Sequence, residues 1–380
     1  MLAALAIGIV SLALLGGMIW FWGERGRAIR PSSLEILREF GPKRLFSLLV
    51  LHGYLYARWP RQYIGLFVHF LFPWLGPRGK RWLADHYHGK VLRTEEAKKI
   101  VRVSRPISLH NLEQVIPYPK ARSLILRQPL ELALFECPCR HNRAKPCQPT
   151  QVCIIVGQPF VNFAMEHHPR RTRRATQDEV AEVLEAEHRR GHVHAAWFKD
   201  VCLDRMFAIC NCCACCCGGI EAMVRFGIPM MASSGYVAVV EQNRCRGCGR
   251  CQAACPFRAI KVNVRARVDH SRCMGCGVCL GVCPRQSLSL RRDEKRAVPL
   301  DLDILVPPVL ESAPLPRLGG GETPLRAEYP RGAASGVRPG GLELAIPERG
   351  GSNHPVLPSA QSPRELGGGR THLPEFFPID

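Results

Sequence analysis

The sequence predicts an α+β chain in which a C-terminal module built from an internal repeat follows an N-terminal transmembrane helix and a mainly helical cysteine-rich domain. Three observations predict it. A cysteine run with the spacing C-x2-C-x2-C-x3-C-P occurs twice, as Cys245, Cys248, Cys251, Cys255 with Pro256 and as Cys273, Cys276, Cys279, Cys283 with Pro284, each second-run residue 28 positions after its counterpart. Residues 1–22 carry no charged side chain. Of nineteen cysteines, the eleven outside these runs all lie between the two features. The expected organisation is an anchor at 1–23, a helical membrane-proximal region at 24–103, a cysteine-rich domain at 104–234, the repeat module at 235–292 and a tail at 293–380.

The repeat module has a chemical reason for its spacing. Three thiolates two residues apart in a tight loop grip three corners of a cubane iron–sulfur cluster, and the last cysteine of each run ligates the other cluster. That pattern predicts Cys245, Cys248, Cys251 and Cys283 on one [4Fe-4S] cluster, and Cys273, Cys276, Cys279 and Cys255 on a second. Pro256 and Pro284 turn the chain away after the fourth ligand, while Gly247, Gly249, Gly275 and Gly277 leave room where a side chain would crowd the cluster. Zinc is the alternative, but structural zinc favours two C-x2-C pairs separated by a longer spacer. The strings "CRGCGRCQAACPFRAI" and "CMGCGVCLGVCPRQSL" resemble the two halves of a bacterial-type ferredoxin with two [4Fe-4S] clusters, over about residues 236–292. The resemblance implies a pseudo-symmetric fold of short strands and helices that carries single electrons at low potential. The whole chain also resembles a loosely described group of longer, cysteine-rich bacterial 4Fe-4S proteins. "GYVAVVEQNR" (235–244) reads as the strand entering the module.

The first segment, "MLAALAIGIVSLALLGGMIWFW", is long enough to cross a bilayer core of about 30 Å. Arg25, Arg27 and Arg30 follow the apolar run, whereas a cleavable signal would begin with positive charge. The positive-inside rule then puts the body in the cytoplasm, single-pass at the cell inner membrane, with Trp20, Phe21 and Trp22 as an interfacial aromatic belt. Two shorter apolar stretches follow, 45–57 and 63–76, split by Arg58, Pro60 and Arg61. They fit segments lying against the cytoplasmic leaflet and fit an ordinary core equally well. "SSLEILREF" and "TEEAKKIVRV" carry helical spacing with cap-type starts.

The upstream cysteines fall in two groups. "CPCRHNRAKPCQPTQVC" supplies Cys137, Cys139, Cys147 and Cys153; "CNCCACCCGG" supplies Cys210, Cys212, Cys213, Cys215, Cys216 and Cys217, with Cys202 just before it. So many thiols in so few residues cannot all face one core, and exposure would invite oxidation. Ligation of a further iron–sulfur cluster is expected, with zinc as the alternative. Arg140, Lys145 and His141 are placed to balance a cluster's negative charge. Cys216-Cys217-Gly218 resembles the CCG motif of heterodisulfide-reductase-like proteins, in a single copy. No C-x-x-C-H occurs, so c-type haem has no signature. His167, His168, His188, His192 and His194 read as structural or surface residues beside softer thiolate ligands. The clearest helix is expected at about 177–190, with Thr176 and Glu179 as a capping box and Gly191 past its end.

Beyond residue 293 cysteine is absent and proline, glycine and arginine abound, which predicts disorder, with 298–310 as the one apolar island able to dock back. The net charge of +20 points to an anionic partner. A membrane surface or an acidic redox partner protein fits; nucleic acid is not expected, because no recognition module accompanies the charge. Reduced thiolates call for a reducing compartment. The functional expectation is electron transfer by a membrane-anchored iron–sulfur protein with two [4Fe-4S] clusters and a further one upstream. The alternatives are an oxidoreductase subunit with an active-site cluster at the upstream cysteines, and a metal or cluster carrier. No residue stands out as a catalytic acid or base, and no G-x-G-x-x-G or Walker pattern supports nucleotide or flavin binding.

Overall fold

The computed structural model describes residues 2–44, 47–117 and 123–306, with the side chains of residues 2–7, 9, 12 and 13 outside the described set. In chain order the strands are β1 (Tyr87–Leu92), β2 (Ile107–Leu109), β3 (Leu124–Leu126), β4 (Leu132–Glu136), β5 (Gln151–Val156), β6 (Thr172–Ala175), β7 (Val193–Lys199), β8 (Arg205–Cys212), β9 (Met231–Ala232), β10 (Tyr236–Val240), β11 (Ile260–Val262), β12 (Ala266–Val268) and β13 (Leu288–Arg292). A seven-stranded sheet in the order β6-β4-β5-β8-β7-β1-β9 forms the body, antiparallel throughout except where β9 runs parallel to β1.

The cysteine-rich region is therefore not mainly helical. It contributes every strand of this sheet except β1. Its runs "LALFE" and "QVCIIV" are buried on both faces, and a strand buried on both faces shows a continuous apolar run rather than alternation, so period alone does not separate it from a helix. Period-2 geometry sorts the side chains. Ile154, Ala196, Phe198 and Ile209 join one core with Val180 and Leu184 of the helix Gln177–Arg189 and Ile100 of the helix Thr94–Val101. Ala195, Trp197 and Cys212 face the other way, onto Ile220 and Met223 of the helix Gly218–Phe226. The Thr176 hydroxyl accepts from Glu179 N–H at 3.2 Å, and Gly191 follows at φ 80°.

The N-terminal transmembrane helix is not supported. Leu2–Gly23 is helical, but among the described residues no helix is long and apolar enough to cross a membrane. The aromatic end of Leu2–Gly23 packs on protein. Trp20 stacks on Tyr54 with centroids 4.7 Å apart, Trp22 stacks on Trp59 at 5.4 Å, and the Gly23 carbonyl accepts from Arg58 Nε at 2.7 Å. The second apolar region forms the helices Leu48–Arg58 and Pro60–Gly65 and a wider turn at Leu66–Leu71, which bury Tyr56 and Val68 against the body and leave Leu48, Phe70 and Trp74 exposed.

The apolar island docks as far as it is described. Leu300 is fully buried, the helix Leu302–Leu305 packs on the main core, and Val298 N–H donates to the Gln114 carbonyl at 2.6 Å. The rest of the expected disordered tail, 307–380, lies outside the described residues. Beneath this strap Lys90 is fully buried and donates to the Val298 carbonyl at 2.8 Å. Burial lowers its pKa to about 7 from 10.5. The unfolded chain thus binds more protons between those values, so this group's contribution to folding stability rises with pH across that window. Lys90→Met should remove the slope. In anaerobic denaturant titrations the wild-type stability relative to the variant is expected to rise by about 2 kcal/mol from pH 7 to pH 9; a constant difference would refute a perturbed Lys90.

Candidate cluster and metal centres

The C-terminal module pairs β10 with β13 and β11 with β12, all antiparallel, around the short helices Arg250–Ala254 and Val278–Gly281. It holds two small cavities. One is lined by Cys245, Cys248, Cys251 and Cys283, the other by Cys255, Cys273, Cys276 and Cys279. Each takes three cysteines from one run and the last from the other, because the β10–β13 pairing brings the end of the second run back to the start of the first. Main-chain N–H groups donate to the sulfurs in matched pairs: Ala266 to Cys245 and Ala238 to Cys273 at 3.4 Å, Ala259 to Cys255 at 3.3 Å and Ser287 to Cys283 at 3.4 Å. Donors and acceptors both keep the 28-residue offset.

Gly247 and Gly275 share φ 64°, and a Cβ on either would collide with the carbonyl oxygen of Val264 or Tyr236. The loops can wrap the sulfurs only with glycine there. N–H donors aimed at sulfur and two sets of four thiols fit a pair of cubane clusters. The two sites differ in wetness. Cys248 is exposed, and the N–H groups of Ala266 and Gly247 hold the Cys245 thiol below its ordinary pKa. In the second site burial pushes Cys276 up to about 12 and raises Cys279 and Cys255 as well.

The upstream cysteines separate into two groups. Cys153 on β5 and Cys210 and Cys212 on β8 share one sheet face; Cys137 and Cys139 flank Pro138 just after β4, and Cys217 caps the helix Gly218–Phe226. Their thiols form a connected set of neighbours that shift one another's pKa, Cys210–Cys153–Cys137–Cys139–Cys217–Cys212. The hydrogen bond from Cys139 pushes Cys137 up to about 12, with burial adding to it. Cys147, Cys213 and Cys215 converge elsewhere, their Sγ atoms all within 4.8 Å of one another, and Cys216 Sγ is 3.5 Å from Cys215 Sγ. Cys202 belongs to neither group; it is buried beside Tyr56 and Val201.

The charged neighbours also differ from expectation. Arg140 is fully buried and its Nη2 donates to Glu187 at 2.7 Å and to the Asn211 carbonyl at 3.2 Å. His141 instead meets Glu136, and Lys145 is exposed. Sequence reasoning missed Glu187, His192 and Asn211. His192 Nδ1 donates to Glu187 at 2.6 Å and its Nε2 lies 3.7 Å from Cys147 Sγ. The available signal was a glutamate in a helix's last turn with a histidine just past the capping glycine.

A cavity of about 600 Å³ opens beside the six-thiol set. Tyr56, Tyr63, Tyr87, Phe160, Trp197 and Phe207 supply much of its wall. The buried Lys199 ammonium lies 4.7 Å from the Tyr87 ring centroid, 5.1 Å from that of Tyr56 and 5.7 Å from that of Tyr63, a cation–π arrangement. Between the cavity side and the C-terminal module runs a continuous apolar cluster that includes Cys212, Cys217, Phe257, Met274, Val278 and Cys276. A Cβ on Gly277 would lie 3.9 Å from His188, whose ring is 5.9 Å from that of His194, and His194 Nδ1 donates to Asn211 at 2.6 Å. The second cysteine cavity therefore faces the upstream thiols. The first faces outward, rimmed by exposed Arg246, Arg250 and Arg285.

Comparison with known proteins agrees with this geometry. Residues 238–290, from within β10 to within β13, match the family described as the 4Fe-4S dicluster domain. No curated protein and no solved structure matches the chain. The chain thus carries a ferredoxin-type 4Fe-4S dicluster domain at 238–290 within a longer cysteine-rich protein.

Proposed function

We propose that this protein transfers electrons between an acidic redox partner and the cavity-facing cysteines, through two [4Fe-4S] clusters and a further cluster upstream. The observation that carries the reading is the apolar cluster joining Cys276 of one quartet to Cys212 and Cys217 of the upstream set. Cys245, Cys248, Cys251 and Cys283 would hold the outer cluster, Cys255, Cys273, Cys276 and Cys279 the inner one, and four of the six connected thiols the third. Each cluster supplies a one-electron couple when bound. The chain's own contribution is to hold the thiolates, donate N–H groups to them and exclude water from the inner site, which tunes potential. Arg246, Arg250 and Arg285 form no ion pair among the described residues and present positive charge at the outer rim. Such a rim steers an acidic protein by long-range attraction.

A second reading is favoured by the 600 Å³ aromatic cavity, whose size suits a small ligand. In that reading the upstream cluster is the active site of an oxidoreductase and the dicluster domain feeds it.

Two experiments test these proposals. Anaerobic iron and sulfide analysis with EPR should find about twelve irons in the full chain and about eight after Cys210→Ser with Cys212→Ser; eight in both would remove the third cluster. Electron transfer to a small acidic acceptor protein should slow as salt rises from about 0.05 to 0.5 M, and Arg246→Glu with Arg250→Glu should slow it about tenfold at low salt. A rate indifferent to both would remove the outer rim as the docking face.

A further inference from the structure

We propose that Cys147, Cys213, Cys215 and His192 form a closed mononuclear site for a divalent, borderline-soft cation such as zinc, distinct from any iron–sulfur cluster. The proposal does not rest on the electron-transfer reading. Three chain segments meet there: the loop between β4 and β5 brings Cys147, the turn after β8 brings Cys213 and Cys215, and the entry to β7 brings His192.

Spacing separates one ion from a cluster. Sulfurs bound to a single tetrahedral zinc at about 2.3 Å stand about 3.8 Å apart. Cysteines on a cubane attach to different irons at different corners and stand further apart. The Cys147, Cys213 and Cys215 sulfurs lie within 4.8 Å of one another, and no other three possible ligand atoms converge so closely among the described residues. The two dicluster quartets keep the wider spacing.

His192 is prepared as the fourth ligand. Its Nδ1–H is taken by Glu187 at 2.6 Å, which leaves the Nε2 lone pair facing Cys147 Sγ at 3.7 Å, beside the three converging sulfurs and outside their 4.8 Å set. A carboxylate behind the far ring nitrogen is the usual support of a metal-bound imidazole. Glu187 is itself fully buried and fixed by Arg140 Nη2 at 2.7 Å, so the ring is held in both tautomer and orientation. Arg140 also donates to the Pro149 carbonyl, tying the Cys147 loop to the same network. Three thiolates and one imidazole make a closed set that leaves no position for substrate, which is the structural kind of zinc site. Such an ion would pin the Cys147 loop at the edge of the aromatic cavity, where Cys213 and Arg140 also form part of the wall. The competing fourth ligand is Cys216, whose sulfur is 3.5 Å from that of Cys215.

The test is zinc, iron and sulfide quantitation on the full chain purified anaerobically, for the wild type and for Cys147→Ser, His192→Gln and Cys216→Ser. About one zinc per chain is expected in the wild type and in Cys216→Ser, falling at least fivefold in Cys147→Ser and His192→Gln, with iron and sulfide unchanged in all four. Absence of zinc from the wild type, or loss of iron in Cys147→Ser, would overturn the site. Zinc that follows Cys216 instead of His192 would overturn the assigned fourth ligand. Zinc K-edge X-ray absorption on the wild type needs no variant to fold. A first shell of three sulfurs and one nitrogen supports the proposal, and four sulfurs overturns it. Because iron and sulfide are counted in the same samples, failure of this site and failure of the cluster reading are told apart.

Discussion

Cross-strand pairing of β7 with β8 is the interaction on which the upstream chemistry depends. Its register sets Cys210 opposite Ala195 and Cys212 opposite Val193, small and medium side chains that leave space for sulfur on that face. Because successive strand residues alternate sides, a one-residue slip would send both thiols into the opposite core among Ile154, Leu184 and Phe198 and empty the cavity wall. The register is held from both sides, by β5 through Ile154 opposite Ile209 and by β1 along the length of β7.

Charged groups buried in this body would be costly if isolated, and those around Arg140 are paired, although Arg140 Nε itself has no partner among the described residues. Glu187 accepts from Arg140 Nη2 and from His192 Nδ1, Arg140 Nη2 also donates to the Asn211 carbonyl, and Asn211 Nδ2 donates to the Val152 carbonyl at 2.7 Å. Removing one partner of such a pair leaves an uncompensated buried charge, a loss of about 3–5 kcal/mol, whereas the intact pair adds little net stability. The network is better understood as positioning. It fixes where β8 ends, where the Cys147 loop sits and which way the His192 ring points.

The dicluster domain is docked rather than tethered. Phe257, Met274 and Val278 enter the same apolar cluster as Trp197 and Met223 of the body, and the strap after β13 runs back under the sheet to bury Leu300. Packing at two places along the chain gives the domain one orientation, with its drier quartet inward and its wetter quartet toward solvent. Burial and N–H donation to sulfur tune such sites separately.

Local chemistry made much of this legible in the sequence. The doubled cysteine run, its 28-residue offset, the loop glycines and the capped helix ending at Arg189 are short-range patterns, and each is dictated by bonds or sterics within a few residues. The body was not legible in the same way. Strands buried on both faces lose the alternation that distinguishes them, so β4 and β5 were not separable from helices, and an uncharged N-terminal run gave no sign that Trp20 and Trp22 would stack on Tyr54 and Trp59. The sequence by itself determined which residues can bind metal, because that is a property of side-chain type and near-neighbour spacing. Only the tertiary structure decided how the upstream thiols divide. Cys147 lies far from Cys213 and Cys215 along the chain, and only the closed sheet brings the three sulfurs within 4.8 Å of one another, with His192, held by Glu187, beside Cys147.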